Sequence, residues 1–116
     1  MNHQTEVKKC RAEEAVAIIR GKWRPSIMYE LQHGPVRFRA LQRSVVGIRH
    51  KVLTSELKQL MMLGVVQRTV LQEAPVLQVT YGLTPFGEEV RRLLAEIGSW
   101  SAEHLSGSSA SNVRAP

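Results

Sequence analysis

The sequence contains a single cysteine, Cys10. A chain with one cysteine cannot form an intramolecular disulfide, so a small secreted domain that depends on such bonds is excluded and the cytoplasm is favoured. Histidines are also few and lack the spacing of zinc ligands. They lie at His3, His33, His50 and His104. No metal site is therefore expected.

Long apolar segments and catalytic motifs are missing as well. The N-terminal region carries Glu6, Glu13 and Glu14 and has no apolar run long enough for a signal peptide. No other segment approaches the length of a membrane span. The sequence has no nucleophile elbow, no catalytic pair of carboxylates and no phosphate-binding glycine loop. We therefore expect a cytoplasmic protein without membrane contact, enzymatic activity or cofactors.

Size and charge fit one small domain with an acidic partner. The chain has 116 residues, 43% of them hydrophobic, so it can bury one modest core. Lys and Arg number 16 against 10 Asp and Glu, and the resulting charge of +6 is spread along the chain. This excess favours nucleic acid as the partner. We expect a flexible start at residues 1–9, a folded domain at 10–105 and a disordered tail at 106–116.

Hydrophobic spacing predicts two helices in the first third of the chain. The first runs from Cys10 to Arg20 and ends at Gly21. The second begins at Pro25, because proline is tolerated in the first turn of a helix, and it ends within His33 to Pro35. Its inner face consists of Ile27, Met28 and Leu31.

Two further helices are predicted to form a helix-turn-helix. A short helix lies within Val36 to Val45, and a tight connection from Val45 to Gly47 follows it. The next helix continues to about Leu63 and ends at Gly64. Two helices joined by so short a turn form a helix-turn-helix.

After the helix-turn-helix, helical spacing gives way to the alternation of strands. Residues 65–72 and 77–83 predict an antiparallel hairpin with a loop at 73–76. Thr84 and Pro85 then predict the N-cap and the first residue of a closing helix. The expected fold is mainly α with a small antiparallel β-hairpin, which is a winged helix-turn-helix with additional N- and C-terminal helices.

The closing helix carries an apolar stripe that is longer than so small a core requires. An exposed stripe of this length would be adhesive, so we expect it to form the interface of a homodimer. The stripe consists of Val90, Leu93, Leu94, Ile97 and Trp100.

The second helix of the helix-turn-helix has two rows of opposite character. Its apolar inner row consists of Leu53, Leu57 and Leu60. Its polar outer row consists of Lys51, Ser55 and Lys58, with Thr54 at the flank. In a winged helix this outer face enters the major groove, although a simply solvated face would carry the same residue types. Three arginines of the preceding helix are expected to contact phosphates or to face solvent, and they are Arg37, Arg39 and Arg43.

Six short motifs occur in order along the chain. They are GKW at 21–23, RF at 37–38 followed by Leu41, GI at 47–48 with KVLTSELKQL at 51–60, GVVQR at 64–68, YGLTPFG at 81–87, and Trp100. Together they resemble the HxlR-type family of bacterial transcription regulators, which are MarR-like winged helices. The resemblance covers about Cys10 to His104. It implies a homodimer, built by the first and last helices, that binds a double-stranded, pseudo-palindromic operator. We predict DNA contacts at Arg37, Arg39, Arg49, His50, Lys51, Thr54, Ser55 and Lys58.

The sequence departs from the pattern of this family at Arg49 and at the wing tip, among other positions. Its members commonly have Ser where Arg49 stands, so the helix loses an N-cap hydrogen bond worth about 1 kcal/mol and gains a positive charge near the groove. Wings of the family often present Arg or Lys near the tip. The tip here consists of Gln72, Glu73, Ala74 and Pro75.

Cys10 is surrounded by the basic residues Lys8, Lys9 and Arg11 and is predicted to begin the first helix. Both features favour the thiolate and hence oxidation. In a subgroup of the HxlR-type family, a cysteine near the N-terminus is the redox or electrophile sensor, through an intersubunit disulfide or an adduct. We therefore predict that Cys10 senses oxidants or electrophiles, with an inert thiol as the alternative.

Two other functions are compatible with the sequence. A regulator that responds to a small-molecule effector would bind it in a pocket at the dimer interface near Trp23 and Trp100, although ordinary packing also explains these large side chains. A winged helix can also be a protein-interaction module that never touches DNA. The basic row from Lys51 to Lys58 favours DNA, because an interaction module would more often expose apolar residues there.

Overall fold

The computed structural model describes residues 2–73 and 76–105. Its elements are α1 Asn2–Ile19, α2 Arg24–Glu30, β1 Val36–Arg37, α3 Phe38–Ser44, α4 His50–Met62, β2 Val66–Glu73, β3 Val76–Leu83 and α5 Pro85–His104. The predicted disordered tail and the middle of the predicted hairpin loop lie outside the described residues. None of the described helices combines the length and the apolar character needed to cross a bilayer.

The hydrophobic core lies between α2, the helix-turn-helix formed by α3 and α4, and the base of the hairpin. The predicted inner rows of α2 and α4 are confirmed, since all six of their residues are at most 2% exposed. No polar side chain of the described residues is buried. The core consists of Ile27, Met28, Leu31, Leu41, Val45, Ile48, Leu53, Leu57, Leu60, Val65, Val66 and Val90.

Two of the predicted helix ends fall on glycines with a left-handed backbone. Gly21, after α1, has φ of +117°, and Gly64, after α4, has φ of +80°. Glycine adopts these angles without the steric cost that a Cβ atom brings. The N–H group of Gly64 donates to the carbonyl of Met61 at 3.0 Å and closes the last turn of α4.

Val36 and Arg37 form a strand, so the prediction that they belong to the third helix was wrong. This strand, β1, pairs antiparallel with β3, with Val36 opposite Tyr81 and Arg37 opposite Thr80. The sheet therefore has three strands in the order β1-β3-β2 instead of the predicted two. The edge of β3 offers unpaired backbone groups to a segment that is distant in sequence, and local spacing does not reveal this. Helix α3 begins directly afterwards, at Phe38.

Helix α1 begins at Asn2, so the predicted start at Cys10 was wrong. Neither proline nor glycine interrupts residues 2–19, and nothing local prevents a longer helix. Cys10 therefore lies about two turns inside α1 and not at its start. The flexibility expected for residues 1–9 stays a prediction.

The hairpin and the start of α5 agree with the sequence, except that Glu73 and Val76, predicted in the loop, pair with each other as strand residues. Strands β2 and β3 pair antiparallel from Val66, opposite Leu83, to their outer ends. Thr84 is the N-cap of α5, and its hydroxyl accepts a hydrogen bond from the N–H of Gly87 at 2.9 Å. The same hydroxyl donates to the carbonyl of Gly64, so it ties α5 to the end of α4.

The predicted apolar stripe of α5 divides into two parts. Val90 is 8% exposed, and Leu94 is half-buried and packs against the core of its own chain. Leu93, Ile97 and Trp100 are instead 53–60% exposed. Only the second part of the stripe is therefore accessible to another molecule.

Candidate nucleic-acid interface

The outer side of α4 is exposed, as predicted. Lys51, Ser55 and Lys58 face away from the buried leucine row. Met62 continues this side and is 81% exposed. This outer side of α4 therefore combines two cations, a hydroxyl and one apolar side chain.

The first turn of α4 has no side-chain cap. Arg49 is the N-cap residue, and its side chain makes no capping hydrogen bond, in agreement with the expected loss of a serine cap. The hydroxyl of Thr54 donates to the carbonyl of His50 at 2.9 Å. Its hydrogen is thus engaged, so Thr54 can only accept a hydrogen bond from a base. The amide groups at this helix start are available to an anion.

The three predicted arginines near α3 are all exposed. Arg37 is the N-cap residue of α3 and also the last residue of β1. Arg39 and Arg43 lie along a cleft of about 510 Å³ that reaches His50 at the start of α4. Their guanidinium groups can therefore reach a DNA backbone that passes the first turn of α4.

A second cleft, of about 410 Å³, separates α4 from the hairpin, and we call it the wing cleft. Its aromatic wall contains Phe38, whose ring centroid lies 4.8 Å from that of His50 and 6.3 Å from that of Tyr81. Lys58 of α4 and Arg68 of β2 bring positive charge to it. The lining residues are Phe38, His50, Thr54, Leu57, Lys58, Met61, Arg68, Val79 and Tyr81.

Arg68 is a candidate DNA contact that was not predicted from the sequence. It is the only basic residue of β2 and β3, and it stands opposite Tyr81 in the register. The signal was present in the alternation of β2, because Arg68 shares a face with Val66, which is buried. A cation in that position must lie where the hairpin leaves the core.

Seven basic side chains of this region have no partner among the side chains and backbone groups that the structure describes. By contrast, four arginines elsewhere are paired, namely Arg11, Arg24, Arg91 and Arg92. Unpaired cations keep their full charge for an external anion. The seven unpaired residues are Arg37, Arg39, Arg43, Arg49, Lys51, Lys58 and Arg68.

The outer half of the hairpin has a different character. Val70, Leu71, Val76 and Leu77 are 43–57% exposed, and no cation lies among them. This outer half has no charge with which to bind a phosphate, in agreement with the departure noted in the sequence.

The two tryptophans lie in different surroundings. Trp23 lines a groove of about 470 Å³ between α2 and the end of α3, and the ammonium of Lys22 lies 4.8 Å from its ring centroid. Trp100 does not line this groove, and its ring stacks on His104 with centroids 4.9 Å apart. A pocket that joins both indoles at a dimer interface stays a prediction.

Comparison with known protein families identifies the family of this chain. The model of the HxlR-like helix-turn-helix family matches residues 18–109. The chain belongs to this family. The region matched contains every element from α2 to α5.

Relatives of this HxlR-like chain are named as regulators. The HTH-type transcriptional regulator YvaP of Bacillus subtilis strain 168 is 35% identical over 95 residues, which are 82% of this chain and 87% of YvaP. The reduced form of the regulator YodB from B. subtilis superposes with a TM-score of 0.75 at 30% identity and covers 80% of this chain and 90% of YodB. The redox regulator HypR in its oxidised form gives 0.72 at 29% identity, with 82% and 97% covered.

Proposed function

We propose that this HxlR-like protein is a transcriptional regulator that binds double-stranded operator DNA, with α4 in the major groove. The observation that carries the proposal is the set of seven unpaired basic side chains on the helix-turn-helix and at the base of the hairpin. Cations without internal partners release the counterions of phosphates when they bind DNA, which favours association.

The elements suggest different roles for these residues. Lys51, Ser55 and Lys58 project from the outer side of α4 and can reach base edges or nearby phosphates. The arginines of α3 and the N-cap residue Arg49 precede or flank this side, so phosphate contacts suit them better. Arg68 extends the basic surface across the wing cleft.

We further propose that the protein acts as a homodimer on a pseudo-palindromic operator. Leu93, Ile97 and Trp100 are large, exposed and spaced along one side of α5, which is costly for a chain that remains alone in water. A second copy of α5 would cover them. Two copies of α4 would then read half-sites about 34 Å apart, one turn of DNA.

The test is in vitro selection of duplexes from a random pool, followed by salt titration of binding to the selected sequence. Lys51→Ala and Lys58→Ala should each lower affinity. Loss of a phosphate contact should reduce the magnitude of the slope of log K against log salt concentration by about one unit, whereas loss of a base contact should relax sequence preference at one position at a cost of about 1–3 kcal/mol.

Arg92→Ala is the control, because it also removes one positive charge but lies on α5, with its side chain 71% exposed. It should leave the slope unchanged. Selection that recovers no sequence, or lysine variants that bind like the wild type, would exclude α4 as the recognition helix.

We also propose that Cys10 makes this regulator responsive to oxidants or electrophiles. The basic neighbours Lys9 and Arg11 favour the thiolate. HypR, one of the similar proteins, is named a redox regulator. The helix-start contribution that we expected no longer applies, since Cys10 lies inside α1. A small-molecule effector, bound in a pocket at the dimer interface near Trp23 and Trp100, stays a prediction.

A further inference from the structure

We infer that Arg24 is a positioning residue for DNA recognition: its guanidinium holds α4 at a fixed rotation relative to α1 and α2. The inference rests on the proposed function and adds a residue that does not itself belong to the DNA-facing row. Arg24 is the first residue of α2, on the opposite side of the turn from α1.

The guanidinium of Arg24 joins three helices. Its Nε atom donates to Oε1 of Glu56 at 2.8 Å, and one terminal nitrogen donates to the side-chain oxygen of Gln59. The other terminal nitrogen donates to the carbonyl oxygens of Ala17 and Ile18, each at 3.1 Å. All three nitrogens of the fork are therefore engaged.

On the side of α1, Arg24 satisfies carbonyl groups that the helix cannot. Ala17 and Ile18 lie in the last turn of α1, where carbonyls lack an intrahelical partner. A positive charge at a helix C-terminus is also favourable, and the last turn of α1 contains no basic residue of its own. The end of α1 is thus fixed to the start of α2.

On the side of α4, the contacts fall on one flank. Glu56 and Gln59 are three residues apart and occupy the same side of the helix, between the buried leucines and the exposed lysines. The other flank, which carries Thr54 and Met61, lines the wing cleft. A rotation of α4 about its axis would carry Lys51, Ser55 and Lys58 with it, so the Arg24 contacts fix the direction in which that row points.

The Arg24 contacts orient α4 more than they stabilise the fold. The side chains of Arg24 and Glu56 are 11% and 23% exposed, so the cost of removing both charges from water offsets much of their attraction. Leu53, Leu57 and Leu60 already bury α4 in the core. Apolar contacts tolerate small rotations, whereas a planar fork with three engaged nitrogens does not.

The experiment compares the wild type with Arg24→Met, Arg24→Lys and Glu56→Gln. For each protein we would measure affinity for the selected operator, affinity for a random duplex, the salt slope and the thermal midpoint. We expect the ratio of operator to random-duplex affinity to fall about tenfold in all three variants. Affinity for the random duplex and the salt slope should remain unchanged in Arg24→Lys, which keeps the positive charge, because Arg24 does not contact DNA.

Glu56→Gln separates positioning from simple electrostatics. It removes a negative charge from the recognition helix, so charge alone would strengthen binding to every duplex. Loss of positioning instead lowers the ratio between operator and random duplex. Arg92→Met is the matched control, since its pair with Glu88 lies within α5, and it should preserve the ratio.

The outcomes are distinguishable from those of the proposed function. If the wild type selects no sequence, the proposed function fails and this inference falls with it. If the wild type selects an operator and the Arg24 and Glu56 variants keep its ratio, the inference alone is overturned. Should Arg24→Met unfold at the assay temperature, Arg24→Lys and Glu56→Gln decide by the same ratio.

Discussion

The carbonyl oxygen of Val65 stands where a Cβ atom on Gly87 would have to be placed. Val65 directly precedes β2 in the connection from α4, and Gly87 lies in the first turn of α5, so the two backbones meet without any side chain between them. The N–H of Thr84 donates to the same carbonyl at 3.0 Å. This close approach brings the end of α4, the base of the hairpin and the start of α5 together.

Gly87→Ala should therefore destabilise the protein. The new methyl group would overlap with backbone, which cannot move aside as a flexible side chain can, and overpacking of this kind costs about 1–3 kcal/mol or more. Gly98→Ala is the control in the same helix, because nothing lies within 4 Å of the position that its methyl group would occupy. It should stabilise by about 0.5–1 kcal/mol. Urea unfolding gives the free energy of unfolding of both variants. Equal values for the two would contradict the prediction.

Alanine variants of the adjacent residues Leu93 and Leu94 should have different effects, one on dimerisation and the other on the stability of the fold. Leu93→Ala, at an exposed position, should weaken dimerisation in sedimentation while the fold is retained, as should Trp100→Ala. Leu94→Ala should lower the free energy of unfolding by about 2 kcal/mol, because Leu94 packs against the core. A wild-type protein that is monomeric at micromolar concentration would remove the two-fold operator from consideration.

Arg68→Gln should reduce the salt slope of operator binding by about one unit without changing sequence preference. The prediction follows from the position of Arg68 in the wing cleft beside Lys58. Gln72→Ala, further along β2, is the comparison for a change in the outer half of the hairpin and should leave the slope as it is. An unchanged slope in Arg68→Gln would mean that the base of the hairpin stays clear of the phosphates.

Acid should weaken α5 through Glu88. The hydrogen bond from Arg91 to the Glu88 carboxylate, at 2.7 Å, holds the pKa of Glu88 below its ordinary value of 4.5, against the opposing effect of desolvation. A carboxyl whose pKa is lower in the folded state stabilises the fold above the unfolded pKa and loses this contribution as pH falls through the folded pKa. Unfolding of wild type and Glu88→Gln should therefore differ at pH 7 and converge in acid below pH 4.5. Glu89→Gln, at the next position, controls for the loss of one acidic side chain.

Oxidation should alter operator binding only when Cys10 is present. With a single cysteine per chain, the products are limited to an intersubunit disulfide, a mixed disulfide with a small thiol or an adduct. Gel shift and non-reducing electrophoresis of wild type and Cys10→Ser, before and after diamide, hypochlorite and a quinone, would detect them. Equal operator binding by both proteins under every treatment would leave Cys10 with a structural role.

Features that depend on a single helix or its ends were predicted correctly from the sequence. The leucine and lysine rows of α4 follow from the helical period alone, and the cap at Thr84 follows from its hydroxyl and the adjacent proline. The end of α4 at Gly64 was likewise predictable, because it depends on the residue type at that one position. The membership of the family was also predictable, because six motifs occur in a fixed order.

Features that depend on distant contacts were not predictable in this way. Strand β1 exists because Val36 meets Tyr81 across the sheet. Nothing in the sequence around Arg24 indicates that the fold places Glu56, 32 residues later, beside it. The α5 stripe looked continuous, whereas tertiary packing buries Leu94 and leaves Leu93 exposed. In each case the partner is separated from the residue by other elements of the chain, and the spacing of neighbours contains no information about it.

The short strand β1 gives the hairpin two regions of different cooperativity. At Thr80 and Tyr81, β3 is hydrogen-bonded along both edges, whereas further out, around Leu77, it pairs with β2 alone. A two-stranded ribbon is marginal by itself, so the outer region can open while the base remains closed with the core. Backbone amides around Leu77 should then exchange with solvent deuterium through local opening, and those of Tyr81 only through global unfolding.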